Sequence, residues 1–324
     1  MNKKIISALV AVLLALPVTA QANLKNQTSG LTPTLAVIDT AINSKDPVLQ
    51  GKVIYEACIL EVTVKNCANG ESFMEGPGAA FLSDKILYNP KSVPGNGFDH
   101  GTVMTAAAIR ANPNMNIVFV RIVGVKANGN REIVSSEILS KAIAWVLQNK
   151  TKFNIKAINI SQGHNNFRGA TGSNYCEVAS TRAPGLEGSI KNSVDQGVPV
   201  FFPTGNRWNA TQIDFPSCLP ISIAVGAVED NLEEATGYNN YDPLVTDFFA
   251  PGRIEITLNN KQFASVGTSI SSARAAAYWT MIAASKSNLS YSQIYELLAK
   301  TSTAARHYKY TTNRVLNING ALNG

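Results

Sequence analysis

Leu35-Ala36-Val37-Ile38 is a continuous apolar run, and Asp39 follows it directly. A short run of this kind, without polar alternation, is typical of a strand that is buried on both faces of a sheet. Four further apolar runs follow along the chain: Ile117–Val123, Ala157–Ile160, Val198–Phe202 and Ile221–Val228. Together they predict a mainly parallel sheet with helices on both faces.

Helical patterns lie between and after these strands. Ser135 or Ser136 can cap a helix with an apolar face, and Ser271–Ser285 is alanine-rich and apolar nearly all round, as in a buried helix. Ser290 and Gln293 form a capping-box signature before another apolar face. Alternating strands and helices predict a doubly wound α/β fold.

The amino-terminal segment has the features of a bacterial signal peptide. Lys3 and Lys4 precede an apolar stretch, Ile5–Leu16, which is too short to span a bilayer, and Ala20-Gln21-Ala22 is an A-x-A cleavage site. A membrane anchor is the alternative, but nothing after Ala22 resembles a stop-transfer flank. We therefore predict a signal peptide at residues 1–22, one domain at residues 23–324, and a secreted or periplasmic protein without a membrane anchor.

The charge pattern argues against nucleic-acid binding. The formal net charge is +6, and the lysine and arginine residues form no run. We expect no nucleic-acid partner.

Four cysteines follow the predicted cleavage site, and an even count in an exported chain favours two disulfides. Four cysteines allow three pairings. Cys58 and Cys67 are close in sequence, whereas Cys176 and Cys218 belong to two loops at the rim of the predicted sheet. We expect the pairs Cys58–Cys67 and Cys176–Cys218. A zinc site is the competing idea, which the lack of a C-x-x-C pair and the presence of only three histidines disfavour.

Polar residues follow several of the predicted strands. In a doubly wound sheet, ligands bind beyond the carboxyl ends of the strands, which directs attention to Asp39, Ser161-Gln162-Gly163 and Thr204-Gly205-Asn206. His100 and Ser269 begin helical segments that point toward the same rim. Taken singly, each has an ordinary explanation as a turn residue, a helix cap or an incidental surface residue. Amide hydrolysis by serine, however, needs a base, an orienting acid, fixed oxyanion donors and a substrate clamp, and these residues offer all four.

The order Asp, His, Asn, Ser along the chain resembles that of the subtilase family, of which subtilisin is the type member. The resemblance covers nearly the whole chain after about Thr34. The matching segments are Val37-Ile38-Asp39-Thr40, His100-Gly101-Thr102, Asn159–Gly163, Thr204-Gly205-Asn206, Ile223–Val228, Ala250-Pro251-Gly252, Gly267-Thr268-Ser269 and Arg314–Asn317.

The resemblance implies a role for each polar residue. Asp39 would orient His100, His100 would act as general base and then general acid, and Ser269 would be the nucleophile. Asn206 would donate its amide to the oxyanion, together with the backbone N–H of Ser269. Substrate binding would fall to the edge segment Ser161, Gln162 and Gly163 and to Thr204 and Gly205. The implied activity is that of a secreted serine endopeptidase without a cofactor.

Some positions depart from the family pattern. Val103 replaces a second histidine, Ala106 replaces a glycine, and Ala273 stands near the usual proline of the serine motif. Gln162 occupies a position that is usually apolar and lies between two substrate pockets. A polar amide there predicts a weaker preference for large apolar side chains, because the amide would have to be desolvated.

Two other functions compete with a general endopeptidase. One is a secreted effector or toxin-type enzyme with a single narrow protein substrate, and the other is a silent subtilase fold that serves as a binding module. Between Ala22 and the first strand lie only residues 23–34, too few for a folding domain with its own core. We therefore expect folding without a cleaved prodomain, with a folding or inhibitory partner acting in trans as one route.

The sequence also predicts that the enzyme needs no metal. Many subtilases bind calcium in a loop soon after the histidine helix, but here residues 111–116 lead almost at once into the next strand, without clustered carboxylates. We expect chelation with EDTA to leave the activity and the melting temperature nearly unchanged. A large fall in melting temperature that calcium reverses would reveal a site that the sequence does not show.

Overall fold

The computed structural model describes residues 31–132, 134–162, 175–183 and 185–324. The predicted signal peptide and Gly163 therefore lie outside the described residues. The described strands are β1 (Thr34–Asp39), β2 (Val53–Ile59), β3 (Phe73–Glu75), β4 (Asn116–Arg121), β5 (Ile155–Ile160), β6 (Val200–Pro203), β7 (Ile223–Val228), β8 (Phe248–Pro251), β9 (Arg253–Leu258), β10 (Lys261–Val266), β11 (Thr303–Arg306) and β12 (Thr311–Val315).

Helices alternate with the strands along much of the sequence. They are α1 (Asp84–Leu87), α2 (His100–Ala111), α3 (Ser136–Phe153), α4 (Tyr175–Thr181), α5 (Leu186–Asp195), α6 (Thr268–Ser285), α7 (Tyr291–Thr301) and α8 (Ile318–Asn323).

A ten-stranded sheet in the order β11-β12-β8-β7-β6-β5-β1-β4-β2-β3 forms the centre of the fold. The strands from β12 to β2 in this order run parallel, and β11 and β3 pair antiparallel at the two edges. β9 and β10 form a separate antiparallel hairpin. The doubly wound, mainly parallel α/β fold that the sequence predicts is confirmed.

β1 lies where the direction of winding reverses. It pairs with β4 on one side and with β5 on the other, so the chain continues from β1 toward one edge and returns from β5 toward the opposite edge. The connections of such a sheet leave a crevice beyond the carboxyl ends of the strands at this point. Asp39 is the last residue of β1 and therefore lies at that crevice.

The alternation of side chains along β1 decides which face the Asp39 carboxylate occupies. Leu35 and Val37 pack into the core layer under α2, α6, α7 and α8, whereas Ala36 and Ile38 pack into the layer under α3, α4 and α5. Successive strand residues point to opposite faces, so Asp39 leaves the sheet on the side of Leu35 and Val37. This is the side on which α2 and α6 pack against each other.

The helix ends agree with most of the sequence-based signals. The Ser135 side chain caps α3 by accepting from the Ile138 N–H, and Ser290 and Gln293 form the predicted capping box of α7. α6 begins at Thr268, three residues before the predicted start, and so includes Ser269. No helix in the described part of the chain is long and apolar enough to cross a membrane.

Both expected disulfides are present in the structure. Cys58 pairs with Cys67, and Cys176 pairs with Cys218. The first closes a loop at the end of β2, where the guanidinium of the fully buried Arg121 donates to the backbone and side-chain oxygens of Asn66. Burial lowers the pKa of Arg121 to about 10. The loop between the cysteines is thus held to the sheet by a covalent bond and by a buried cation.

The packing at the start of α2 yields a stability prediction. A Cβ at Gly101 would lie 2.5 Å from the carbonyl oxygen of Ala41 and 2.6 Å from the ring of Phe119. We expect Gly101→Ala to destabilise the protein by about 1–3 kcal/mol in urea unfolding, because backbone and aromatic core would have to move apart.

Gly188 in α5 provides the matched control. A Cβ at Gly188 would meet no atom within 4 Å. Gly188→Ala should stabilise the protein by about 0.5–1 kcal/mol, because alanine loses less conformational freedom than glycine on entering a helix. Equal stability of the two variants would contradict the packing of α2 on β1 and β4.

Candidate active site

A buried carboxylate and an imidazole meet at the carboxyl end of β1. Asp39 is fully buried, and its Oδ1 lies 2.8 Å from Nδ1 of His100, the first residue of α2. The same oxygen accepts from the Thr40 backbone N–H at 2.7 Å. Oδ2 of Asp39 is buried and has no hydrogen-bond partner among the described residues. All interactions seen for this carboxylate therefore converge on one oxygen.

These contacts decide the tautomer of His100. An ionised carboxylate can only accept hydrogen bonds, so in the neutral imidazole the proton resides on Nδ1, facing Asp39. Nε2 is then free of a proton and can accept one. His100 is about 9% exposed, which leaves the ring accessible at the cleft while its Asp39 side is buried.

Ser269 lies in the first turn of α6 and lines the same cleft as His100. No hydrogen bond joins Ser269 Oγ to His100 Nε2 in the described ranges, and the half-buried hydroxyl is open to the cleft. Catalytic hydrogen bonds are often long in proteins without bound substrate and tighten only in the complex.

A chain of polar side chains ties the start of α6 to β5. Ser272 Oγ donates to Asn159 Oδ1 at 2.8 Å, and Asn159 Nδ2 donates to Ser161 Oγ at 2.9 Å. Ser161 Oγ in turn donates to the backbone carbonyl of Ser269 at 3.2 Å. Asn159 and Ser272 are fully buried, so these bonds form in a low-dielectric interior and are strengthened there. They fix the position of Ser269 relative to the end of β5.

Asn206 is held by Thr268 in a way that determines which end of its amide faces the cleft. Asn206 Oδ1 accepts from both the backbone N–H and the hydroxyl of Thr268, each at 2.9 Å. The Nδ2 group is thereby left to donate elsewhere, and Asn206 and Ser269 line the same cleft. Thr268 Oγ1 also accepts from the Gly205 N–H at 3.1 Å. One threonine therefore links the loop after β6 to the start of α6.

The loop that carries Asn206 is also held by an ion pair within it. Asp214 pairs with Arg207 and accepts from Asn240 Nδ2 at 2.7 Å. Asn240 Oδ1 accepts from the Arg207 backbone N–H at 2.9 Å. Gly205 lies against this group with a φ of 107°, and a Cβ there would lie 2.4 Å from both Asp214 and Asn240. Only glycine therefore fits at position 205.

The structure brings most of the predicted site residues together. The cleft is lined by His100, Ser161, Gln162, Gly205, Asn206 and Ser269, with Arg131, Arg207 and Asp214 at its sides. Thr204 differs: it is fully buried, its N–H donates to the Val225 carbonyl, and its carbonyl accepts from the Asp214 N–H. Thr204 thus supports the loop beneath the cleft, and the structure offers no surface of it to a substrate.

Several residues of this site were missed from the sequence. Asn159 belongs to one of the matching segments, but no role was predicted for it. A polar residue within a buried strand signals a partner, because an unpaired amide there would be costly. Asp214 and Asn240 had no such signal, because neither belongs to a motif segment and their contact joins two separate loops, 26 residues apart in sequence. Within the described residues, no group of three or more histidine, cysteine, aspartate or glutamate residues could hold a metal ion.

The fold and the arrangement of this cleft define a class of serine peptidase. The profile of the subtilase family matches residues 30–321. The chain therefore belongs to the subtilase family of serine peptidases, as the sequence motifs predict.

Solved structures of subtilisin-like enzymes share the fold. A protease from Pseudoalteromonas arctica is 17% identical with a TM-score of 0.65, and the match covers 91% of this chain and 90% of that one. A cold-adapted subtilisin-like serine proteinase is 18% identical with a TM-score of 0.59, covering 89% of each chain. The prenylagaramide maturation protease PagA is 18% identical with a TM-score of 0.57, covering 94% of this chain and 98% of that one. At these identities the likeness concerns the fold alone.

The ion pair at the side of the cleft yields a prediction on pH, because its Asp214 carboxylate is mostly buried although Arg207 is exposed. Burial raises the pKa of Asp214 from 3.8 to about 6, and the Arg207 charge and the Asn240 hydrogen bond offset this only in part. Because the pKa of Asp214 is higher in the folded than in the unfolded state, protonation of this carboxyl stabilises the folded protein. This stabilisation is fully present below pH 3.8 and is lost as the pH rises through about 6. Relative to wild type, Asp214→Asn should gain up to about 3 kcal/mol of unfolding free energy between pH 4 and pH 7.

Chemical unfolding of both proteins across this pH range checks the prediction. Asp195→Asn is the control, because Asp195 forms an exposed ion pair with Lys191. Exposed pairs of this kind contribute less than about 1 kcal/mol, so its stability difference from wild type should stay nearly flat. A flat difference for Asp214→Asn as well would mean that this carboxylate is ionised in the folded protein throughout the range.

Proposed function

We propose that this protein is a secreted or periplasmic serine endopeptidase in which Asp39, His100 and Ser269 form the catalytic triad and Asn206 serves in the oxyanion hole. The observation that carries the proposal is the buried Asp39–His100 hydrogen bond of 2.8 Å, at the base of the cleft that Ser269 and Asn206 also line. If the Asp39–His100 pair had only a structural role, it would not need the Ser269 hydroxyl and the Asn206 amide beside it.

The chemistry follows from the hydrogen bonds at these residues. His100 Nε2 takes the proton of Ser269 as Oγ attacks the scissile carbonyl carbon, and Asp39 stabilises the imidazolium that forms. Collapse of the tetrahedral intermediate breaks the C–N bond, and His100 returns the proton to the leaving amine. Water then hydrolyses the acyl-enzyme by the same sequence of steps, with His100 again as the base.

The oxyanion is stabilised by donors that are fixed before the reaction. Asn206 Oδ1 is occupied by Thr268, so Nδ2 is the end of the amide available to the oxyanion. The backbone N–H of Ser269 lies in the first turn of α6, where the helix dipole favours negative charge. Donors held in this way require no reorganisation as charge develops, which is the main source of their effect.

The substrate is a protein or peptide, bound in extended form. Ser161, Gln162 and Gly163 follow the end of β5 and are proposed to pair with the substrate backbone, while Gly205 lines the same cleft. The cleft also carries Arg131, Arg207 and Asp214. These charged side chains favour polar residues in the substrate. They are the observation that supports the second candidate function, an effector-type enzyme with a narrow substrate range.

Export is supported by two independent features. The first 22 residues have the composition of a signal peptide, and the two disulfides fit an oxidising compartment.

Substitution of the proposed catalytic residues tests the mechanism. Ser269→Ala and His100→Ala should each abolish nearly all peptide hydrolysis, and the double variant should be scarcely worse, because the pair acts as one unit. Asn206→Ala should lower kcat by about 10²–10³ with little change in KM. Ser285→Ala, at the far end of α6, is the control and should retain full activity.

A serine-directed phosphonate provides a check that needs no known substrate. It should label Ser269 in wild type and should fail to label the His100→Ala protein. Absence of labelling in folded wild type would overturn the peptidase mechanism and favour a binding module. A fluorogenic peptide library then separates a general endopeptidase, which cleaves many sequences, from an effector that cleaves one protein only.

A further inference from the structure

Gln162 makes a contact that its position at the substrate edge does not require. Its Nε2 donates to Asp39 Oδ1 at 2.9 Å and lies 3.3 Å from His100 Nδ1. The sequence placed this residue between substrate pockets, where its amide would face a ligand. In the structure its amide nitrogen is directed at the aspartate–histidine pair.

The orientation of the Gln162 amide follows from charge. If the amide were turned round, its oxygen would lie at hydrogen-bond distance from a carboxylate oxygen, and two acceptors would face each other. With Nε2 toward Asp39, the Gln162 amide and His100 Nδ1 are both donors to the same oxygen. The 3.3 Å approach of the two nitrogens is therefore a contact between donors that share one acceptor, and not a hydrogen bond between them.

Sharing of Asp39 Oδ1 has a consequence for His100. Each additional donor neutralises part of the carboxylate charge and so reduces the stabilisation that Asp39 gives to an imidazolium. The positive end of the Gln162 amide also faces the imidazole directly. Both effects favour the neutral ring, which is the form that acts as a general base.

We propose that Gln162 is a positioning residue of the catalytic centre, which holds the Asp39 carboxylate in place and keeps His100 unprotonated at lower pH than Asp39 alone would allow. This inference rests on the proposed peptidase function. It assigns Gln162 a role through Asp39 and His100 in addition to any contact with substrate.

Other charged groups also face the pair. Asp99 precedes His100, and its carboxylate accepts from the backbone N–H groups of Gly95 and Gly97. Arg131 reaches the cleft from the segment after β4, and Arg207 and Asp214 reach it from the loop after β6. These groups are the same in every variant compared below, so they affect the His100 titration equally in all of them. Any difference in the His100 midpoint between variants is therefore due to the change at position 162.

The proposal is tested first by a titration that needs no activity. In a Ser269→Ala background, the ring protons of His100 are followed by NMR against pH, with His100→Ala identifying the signal among the three histidines. Gln162→Met, which keeps the length of the side chain but lacks the donor, should move the midpoint of the His100 signal to higher pH by about 0.5–1 unit. Gln162→Ala should move the His100 midpoint in the same direction. Agreement between the two variants would show that the shift is not caused by poor packing of the methionine. Gln262→Met, at an exposed position of β10, is the control and should move nothing.

Kinetics with the intact serine provide the second measurement. Gln162→Met should lower kcat about tenfold, because the base is less well oriented, and should shift the acid limb of the kcat/KM profile upward by the same amount as the NMR midpoint. KM should change less than about twofold. A raised KM with an unchanged His100 midpoint and unchanged kcat would overturn the proposal and leave Gln162 as a substrate contact only.

Failure of this inference and failure of the proposed function give different results. If wild type is unreactive toward the phosphonate while Gln162→Met shifts the His100 midpoint, the coupling of Gln162 to His100 stands and the peptidase function falls. If wild type is labelled at Ser269 while neither Gln162→Met nor Gln162→Ala changes the midpoint or kcat, the function stands and the role of Gln162 falls.

Discussion

The hydrogen bond between Asp39 and His100 is the interaction on which the rest of this site depends. It joins the last residue of the central strand β1 to the first residue of α2, and so fixes a helix end over the point where the sheet reverses its winding. The adjacent contacts support the same junction. Thr40 Oγ1 donates to the Phe98 carbonyl at 2.8 Å and accepts from the Gly101 N–H at 3.0 Å. The histidine is therefore positioned from both sides of its own backbone.

A buried carboxylate is costly unless hydrogen bonds and nearby charge compensate for the loss of water. In the described part of the chain, Asp39 receives its three donors on Oδ1 alone, one each from Thr40, His100 and Gln162. A carboxylate held by three donors on one oxygen has little freedom to rotate, because rotation would break all three bonds at once. Rigid orientation of an acid beside a base is what a serine nucleophile requires.

The remaining parts of the cleft show the same reliance on bonds between distant segments. Thr268 binds Asn206, Ser161 binds the carbonyl of Ser269, and Asn240 and Asp214 bind the loop that contains Arg207. Apart from the Asp214–Arg207 pair, which lies within the loop after β6, each of these bonds connects two segments that are separate in the sequence. The site is thus rigid although most of its residues lie outside regular strands.

The sequence predicted the parts of the fold that local pattern controls. The five apolar runs became β1, β4, β5, β6 and β7, and the capping signals located the starts of α3 and α7. The strands β2 and β3 at one side of the sheet, β11 and β12 at the other, and the hairpin β9–β10 were missed, because they alternate burial or contain polar residues and acquire their conformation by pairing. The short strand β8 was also missed, because its apolar run has only three residues. Strand pairing is a contact between separate segments, so a local pattern does not reveal it.

By itself the sequence determined the fold class, the order of the motif residues and the family, because apolar periodicity and residue types at fixed order are properties of the linear chain. Only the tertiary structure decided that the Asn206 amide turns its oxygen to Thr268, that Thr204 lies beneath the cleft, and that Gln162 contacts Asp39. The physical reason is that each of these depends on side-chain direction and on partners from other segments, which for Asn206 and Gln162 lie more than 60 residues away in sequence. Such partners become neighbours only when the sheet has formed and the helices have packed on it.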